Sequence, residues 1–479
     1  MVIIIAIIIY YLITIVLLIT DNRESSATLA WLLVIIFVPI IGLLIYIVMG
    51  RNQRTLTKKK QQIQKLLEEY MAQTLSPLVR KEKERAEQVK NNWTLAYKKE
   101  LIELLYRSSN SLLTTNNSVK ILQSGEDKFK SLFEDIKNAK KFIHLEYYII
   151  RSDKLGDKLK DILIEKAKQG VEVRIVYDAF GGFFIRGSFL RQLRKAGITA
   201  LPYFNFLRPL KFHTVNYRNH RKIAIIDGNI GYSGGINIGQ EYIDGGGRFA
   251  SWRDTHIRIE GNAAVVLQAI FASTWYTATG EKLLDKKYYP IVESGAGNTP
   301  IQITTSGPDS EWDSIRQLYF MLITSTEKQV LIQSPYFVPD QSLRMALKTT
   351  ALSGLDVKVM MTGIPDKLLP FWAAQTYFPE LLKAGVRIYQ YKKGFLHSKT
   401  ITVDQEICSV GTANMDIRSF NLNYEVNTII YDKKIASQLH DDFMQDLKHC
   451  KEITLKDCKT LNPFVKFRNS LARILTPLL

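Results

Sequence analysis

Cysteine is scarce, with three in 479 residues at Cys408, Cys450 and Cys458. They form no Cys-x-x-Cys pair and no cluster with histidine. That excludes a disulfide framework or zinc module and reads as the reduced thiols of a cytoplasmic domain. A glycine-rich nucleotide loop is also missing, so neither a metal nor a cofactor is implied. Acidic residues are in deficit: 46 Asp+Glu against 64 Lys+Arg leave a net charge of +18. Such an excess calls for an anionic partner, either nucleic acid or an acidic membrane surface, and composition does not separate the two.

The N-terminus does. Val2 to Thr20 is an unbroken apolar run and Leu29 to Met49 is a second, each close to the roughly 20 residues that span hydrocarbon. The first lacks the basic flank and small-residue cleavage site of a signal peptide. A transmembrane hairpin over 1–51 is expected, with helices at about 2–20 and 29–49. Arg51, Arg54, Lys58, Lys59 and Lys60 crowd its exit, whereas the short loop carries only Arg23 against Asp21 and Glu24. Positive residues stay inside, which predicts a multi-pass protein of the cell membrane with its body on the cytoplasmic side.

Residues 52–117 are charged and helix-prone, with Ile63, Leu66, Leu67 and Tyr70 at helical spacing. They suit either interfacial contact or a solvated connector. From 118 the pattern becomes α/β. Residues 141–150 read as a strand, 154–170 as an amphipathic helix and 171–177 as a strand again, and 329–338, a helix to Ser353 and 357–361 repeat the order. Two related α/β domains are predicted, 118–297 and 298–479, with a break near Gly295 to Pro300. The tail at about 463–479 sets Phe464, Phe467, Leu471, Ile474 and Leu475 among Lys466, Arg468 and Arg473. It reads as a basic amphipathic helix, lying on an anionic bilayer or docked on the second domain.

A short pattern occurs twice. His220, Lys222 and Asp227 recur as His397, Lys399 and Asp404, and in the same register Gly234 falls on Gly411 and Asn237 on Asn414. One copy would be weak evidence, but two in register point to an ancestral duplication. At these residues the chain resembles the phospholipase D superfamily, whose signature is this doubled motif. The stretches 234–242, 252–256 and 411–425 look like the bacterial cardiolipin synthase branch. The resemblance implies two tandem phospholipase D-like domains about a pseudo-twofold axis, one motif from each lining a single cleft. It further implies transfer of a phosphatidyl group between two phosphatidylglycerols, releasing glycerol, through a phosphohistidine. Partners would be phosphatidylglycerol and anionic membrane lipids, without nucleic acid. The family also supplies a carboxylate downstream of each motif to orient the histidines, here Asp254 and Glu425. By the same resemblance His220 is the nucleophile and His397 the acid.

The residues suit that chemistry. If the motif strands are regular, His220 and Lys222 share a face, as do His397 and Lys399. The two lysines, with the amides of Asn237 and Asn414, would neutralise charge building on a phosphodiester. One neutral imidazole can attack phosphorus while the other, protonated, serves the leaving alcohol and then the incoming one. Asp227 and Asp404, though members of the catalytic motif, fall on the opposite face. Asp227 also opens a turn at 227–229, so a structural role is expected for both. His144, His213, His440 and His449 read as structural, and His256 as a support behind Asp254. Phe180, Phe183, Phe184, Tyr336 and Phe337 suit acyl chains or a core equally. A hydrolytic phospholipase D and a phospholipase D-type nuclease are the competing functions. The spans count against the nuclease, and two intact motifs against a non-catalytic scaffold.

Overall fold

The computed structural model describes residues 2–20, 25–46, 75–85, 87, 96–204, 216–292 and 296–476. The arginines and lysines expected to set orientation (Arg51 to Lys60), the apolar connector positions Ile63 to Tyr70, His213 and, of the predicted inter-domain break, Gly295 lie outside them.

The first apolar run is a helix, Val2–Thr20, which at 1.5 Å per residue is about 28 Å long. The second is not the single helix expected over 29–49. It starts earlier, at Ser25–Phe37, breaks at Pro39 and Ile40, and resumes as Ile41–Ile45. Proline removes a helical amide, and Ile40 takes a left-handed φ of 67°. The runs pack through Leu18, Trp31, Ile35 and Tyr46. Among the described residues no helix is long and apolar enough to cross a membrane.

Two sheets follow, and they repeat one topology. The first orders its strands Asn117–Leu122, His256–Gly261, Ile230–Gly234, Lys222–Ile226, Phe142–Tyr147, Glu172–Asp178 and Thr199–Tyr203. The second runs Ile301–Ser306, Asn423–Ile430, Ile407–Gly411, Thr400–Val403, Gln329–Gln333, Asp356–Thr362 and Arg387–Tyr391, and Cys450–Ile453 is added at its edge. In both, the motif strand is antiparallel to its neighbours, and the three strands next to it on one side (Phe142–Tyr147, Glu172–Asp178 and Thr199–Tyr203; Gln329–Gln333, Asp356–Thr362 and Arg387–Tyr391) run parallel to one another. This is the tandem α/β arrangement that the repeated β–α–β pattern predicts.

Side-chain caps start the helices that connect the strands. Ser124 caps Gly125–Asn138, Asp153 caps Lys154–Lys168, Asp340 caps Gln341–Leu352 and Asp432 caps Lys433–Leu447. A core common to both sheets contains Ile223, Ile225 and Ile257 from the first half and Val410, Val426 and Ile430 from the second. The connector is more than a solvated rod at its end. Its helix Ala96–Ser109 buries Leu101, Ile102 and Leu105 against Ile315 and Leu318 of the second half.

Candidate active site

Each motif reaches its strand from a two-residue segment that pairs with the other half. Arg218–Asn219 runs parallel to Asn423 and Tyr424, and Phe395–Leu396 runs parallel to Trp252–Arg253. The main chain then continues the crossing, since His220 N donates to Tyr424 O at 3.0 Å and His397 N to Arg253 O at 2.7 Å. The next residue on each partner segment is a buried carboxylate. His220 Nδ1 lies 3.0 Å from both Glu425 oxygens, and His397 Nδ1 lies 2.7 Å from Asp254 Oδ2. Each histidine is therefore held by the carboxylate of the opposite half.

The regular motif strand of the sequence reading needs correction. Lys222 begins its strand and Lys399 precedes Thr400–Val403, so both histidines sit in the step before. The crossing segments require that step. Histidine and lysine still converge, because Lys222 Nζ donates to His220 O and Lys399 Nζ to His397 O. Both lysines are fully buried, and the histidines are 9% and 7% exposed, which leaves a narrow approach.

Asp227 and Asp404 lie at the far ends of the motif strands, roughly 16 Å of extended chain from the lysines. Asp227 accepts from the amides of Lys140, Lys141 and Phe142, and Asp404 from those of Glu327, Lys328 and Gln329 and from the Thr326 hydroxyl. Both have φ near 50°. They clamp hairpin turns to the starts of Phe142–Tyr147 and Gln329–Gln333, contacts of the structural kind expected of these two motif members. The side chain of Asn237 accepts from Ile149 N at 3.1 Å and donates to Tyr242 OH at 3.0 Å. Asn414 is buried, and among the described residues its side-chain oxygen has no hydrogen-bond partner.

Other contributors carried only weak signals. Tyr148 meets the His220 ring edge-on at 5.1 Å, while Trp252 and Phe395 flank His397. Thr412 donates to Glu425 at 2.6 Å, and Ser398 meets Thr255 across the halves. A Cβ on Gly235 would stand 2.0 Å from Asp254 Oδ1, so the second glycine of 234–235 makes room for the carboxylate. Phe337 is core, and Tyr336 donates to Asp366 at 2.6 Å. Phe180, Phe183 and Phe184 are exposed. His144 stacks on Phe271 and bonds Gln268, while His440 pairs with Asp441. The His449 carbonyl accepts from Lys392 N. His256 is buried, its Nδ1 accepting from Ile236 N at 3.4 Å. Among the described residues no cluster of His, Cys, Asp and Glu could hold a metal ion.

Burial shapes the electrostatics. It pushes the Lys222 ammonium down to about 7, against Glu425, and Lys399 down to about 8, against Asp254. Burial and Lys399 push His397 down to about 4, with Asp254 opposing. Burial and Lys222 hold His220 well below the usual range. Burial alone would raise Asp254, but His397, Lys399 and the Thr255 amide outweigh it and leave the carboxyl below its ordinary value. For Glu425 burial wins, and the carboxyl is pushed up to about 7. The two histidine–carboxylate pairs thus share a geometry and differ in charge.

The family described as "Cardiolipin synthase, PLD-like domain" matches residues 132–275 and 319–447, and the "Phospholipase_D-nuclease N-terminal" family matches 4–51. The chain is 42% identical over 459 residues to the cardiolipin synthase of Geobacillus thermodenitrificans, covering 94% of this chain and 89% of that one. It is 42% identical over 458 residues to the major cardiolipin synthase ClsA of Bacillus subtilis, covering 94% and 93%. Among solved structures, phosphatidylserine synthase from Haemophilus influenzae shares the fold, with a TM-score of 0.61 at 15% identity over 79% of this chain and 100% of that one.

Proposed function

The chain belongs to the phospholipase D-type cardiolipin synthases and is a phosphatidyltransferase that makes cardiolipin, and from that premise we propose how its residues carry out the transfer. The crossed, unequal histidine–carboxylate pairs flanked by two lysines carry the reading. Neutral His220 attacks the phosphorus of one phosphatidylglycerol through Nε2, with its Nδ1 proton directed to Glu425. As the P–N bond forms, the bond to the glycerol oxygen breaks and His397 donates its proton to that oxygen. Glycerol leaves. His397 then takes the proton from a hydroxyl of a second phosphatidylglycerol, whose oxygen displaces His220 and yields cardiolipin.

The asymmetry supports these roles. An imidazolium is favoured beside an ionised partner, and Asp254 is the carboxyl that stays ionised, so His397 is the better acid. The anionic diester, on arriving between Lys222 and Lys399, raises the proton affinity of the nearby imidazoles. The lysines carry the equatorial oxygens, and Asn414, buried in the second motif, would join them by turning its Nδ2 toward the phosphate. Asn237, already bonded at both ends, instead supports the wall.

We assign the first catalytic domain to 118–297, the second to 298–479 and a membrane hairpin to 1–51. Two spans with both catalytic domains on the cytoplasmic side are supported by the apolar runs and the basic cluster that follows them. Purified protein given labelled phosphatidylglycerol alone tests the reaction. Cardiolipin plus glycerol is expected, and phosphatidate as the main product would instead make the protein a hydrolase. His220→Ala and His397→Ala should each abolish turnover, and near-normal cardiolipin formation by either would refute the two-histidine mechanism.

A further inference from the structure

The C-terminal helix Pro463–Leu475 is docked the wrong way round for a soluble protein. A helix packed on a globular domain ordinarily turns its apolar stripe inward and its charges out. Here the inward side carries Asn469, whose Nδ2 donates to Gln375 Oε1 at 3.1 Å, and Ala472, both 2% exposed. It also carries two cations on aromatic faces, Arg468 over Trp372 at 4.2 Å and Arg473 over Tyr377 at 4.9 Å. The outward side carries Phe464 and Phe467, 73% and 67% exposed, together with Leu471, Ile474 and Leu475. Asn462 caps the helix and Pro463 opens it, so its start is fixed and the face it presents is not set by fraying.

Its seat adjoins the active site. The helix rests on Leu368–Gln375, which begins one residue after Lys367, a cation close enough to His220 to depress its protonation. Leu368 itself is exposed. On the first-half side of the same histidine, Asp178 accepts from the amides of Phe180, Gly181 and Asn219. This ties the loop bearing exposed Phe180, Phe183 and Phe184 to the residue before His220. Outward apolar side chains from both halves, on the helix seated beside Lys367 and on the loop that bears Phe180, therefore lie on the His220 side of the site.

We propose that Pro463–Leu475 is an interfacial helix: clipped to the second domain by its polar side, it seats its apolar face in an anionic bilayer so that the narrow approach to His220 and His397 opens on lipid. The occupant is the membrane surface rather than a second copy. Exposed Lys466 borders the apolar face, and the net charge of +18 favours an anionic bilayer over a second copy of the same cationic chain. The inference rests on the reaction above, whose substrate resides in that surface.

The test uses the full chain in lipid nanodiscs. Phosphatidylglycerol is supplied either within the disc or as a monomeric short-chain analogue in solution. Phe464→Ser, Phe467→Ser and Leu471→Ser combined should cut turnover of disc lipid by about tenfold or more, the scale of one lost phenylalanine burial, through a raised apparent KM. The monomeric analogue should be turned over as before. A second variant, Phe464→Leu with Phe467→Leu, keeps the face apolar and should retain bilayer activity. Equal rates on both substrates for the serine variant, or equal loss on both, would overturn the proposal. So would a halved particle mass without a bilayer-specific loss, which would make the face a contact between copies. If the parent made no cardiolipin from either substrate, the reaction itself would be wrong.

Discussion

Asp254→Asn separates a crossed from an uncrossed site, because Asp254 lies in the half of His220 yet touches His397 at 2.7 Å. The substitution keeps volume and removes charge. Lost with it is a charge-assisted bond worth about 1.5–3 kcal/mol, together with the control of the His397 tautomer, a loss that in serine-protease triads lowers turnover by about 10⁴. Turnover of phosphatidylglycerol should fall by about 10²–10⁴, or about 2.7–5.5 kcal/mol of barrier.

The diagnostic is a donor with a nitrophenolate leaving group, which departs without a proton. With it the first step bypasses His397, so Asp254→Asn should retain a near-normal burst of nitrophenol and accumulate phospho-enzyme. Glu425→Gln, which deprives His220 of its partner, should slow the burst itself. The opposite pattern would place each carboxylate with the histidine of its own half. A loss smaller than about threefold in Asp254→Asn on phosphatidylglycerol would show that the contact does not matter to catalysis.

Asp227→Asn should act on stability. Three backbone amides lose an ionised acceptor, about 3 kcal/mol in all at about 1 per bond, so a thermal melt should shift down by several degrees while the folded fraction keeps its kcat. Gly235→Ala would place a methyl 2.0 Å from Asp254 Oδ1, and steady-state assays should show at least a tenfold loss in turnover without a matching loss of fold by circular dichroism. The lysines predict an alkaline limb. With Lys222 near 7 and Lys399 near 8, raising pH removes the charge that meets the phosphate, so kcat/KM should fall above about pH 8, and a flat profile to pH 10 would contradict phosphate neutralisation. The same shifts affect folding. The lysines bind fewer protons folded than unfolded between about 7 and 10.5, so their contribution to stability rises with pH through that window. Glu425, raised from 4.5 to about 7, contributes stability that is lost as pH rises through 7.

Much of this was legible along the chain. The paired motifs pointed to histidines and lysines that the fold brings to one site, and the β–α–β recurrence identified the doubled sheet. The odd spacing of Asp227 and its following Gly228-Asn229 foretold a turn, and the structure has Asp227 and Gly228 both at positive φ. The second apolar run was read as one helix, and the break at Pro39 and Ile40 was not foreseen. What remained hidden depends on a symmetry axis. Nothing near His220 in sequence says that its carboxylate is Glu425, because the short segments Arg218–Asn219 and Phe395–Leu396 pair only once the halves have met. Likewise the amphipathic pattern of Pro463–Leu475 was plain, but which side faces out was not. That choice was made by Gln375, Trp372 and Tyr377, which accept an amide and two guanidinium groups and leave the phenylalanines without a seat.

The crossing also explains why the interface between the halves must be rigid. Either half alone holds a histidine without its carboxylate and a carboxylate without its histidine, so neither contains an oriented imidazole. The pairs exist only at the angle fixed by the common core of Ile223, Ile257, Val410 and Val426 and by the two short cross-half ladders. Small rotations of one half against the other would lengthen both histidine–carboxylate contacts together, because each spans the same axis. Packed cores resist such displacement more strongly than surface loops do. The apolar contacts between the sheets are in that sense positioning groups for a reaction they do not touch. The duplication likewise does more than supply a second histidine: it lets two similar frames hold unlike carboxyls, Asp254 held below its ordinary value and Glu425 pushed up to about 7, which is the inequality the proposed transfer asks of its two imidazoles.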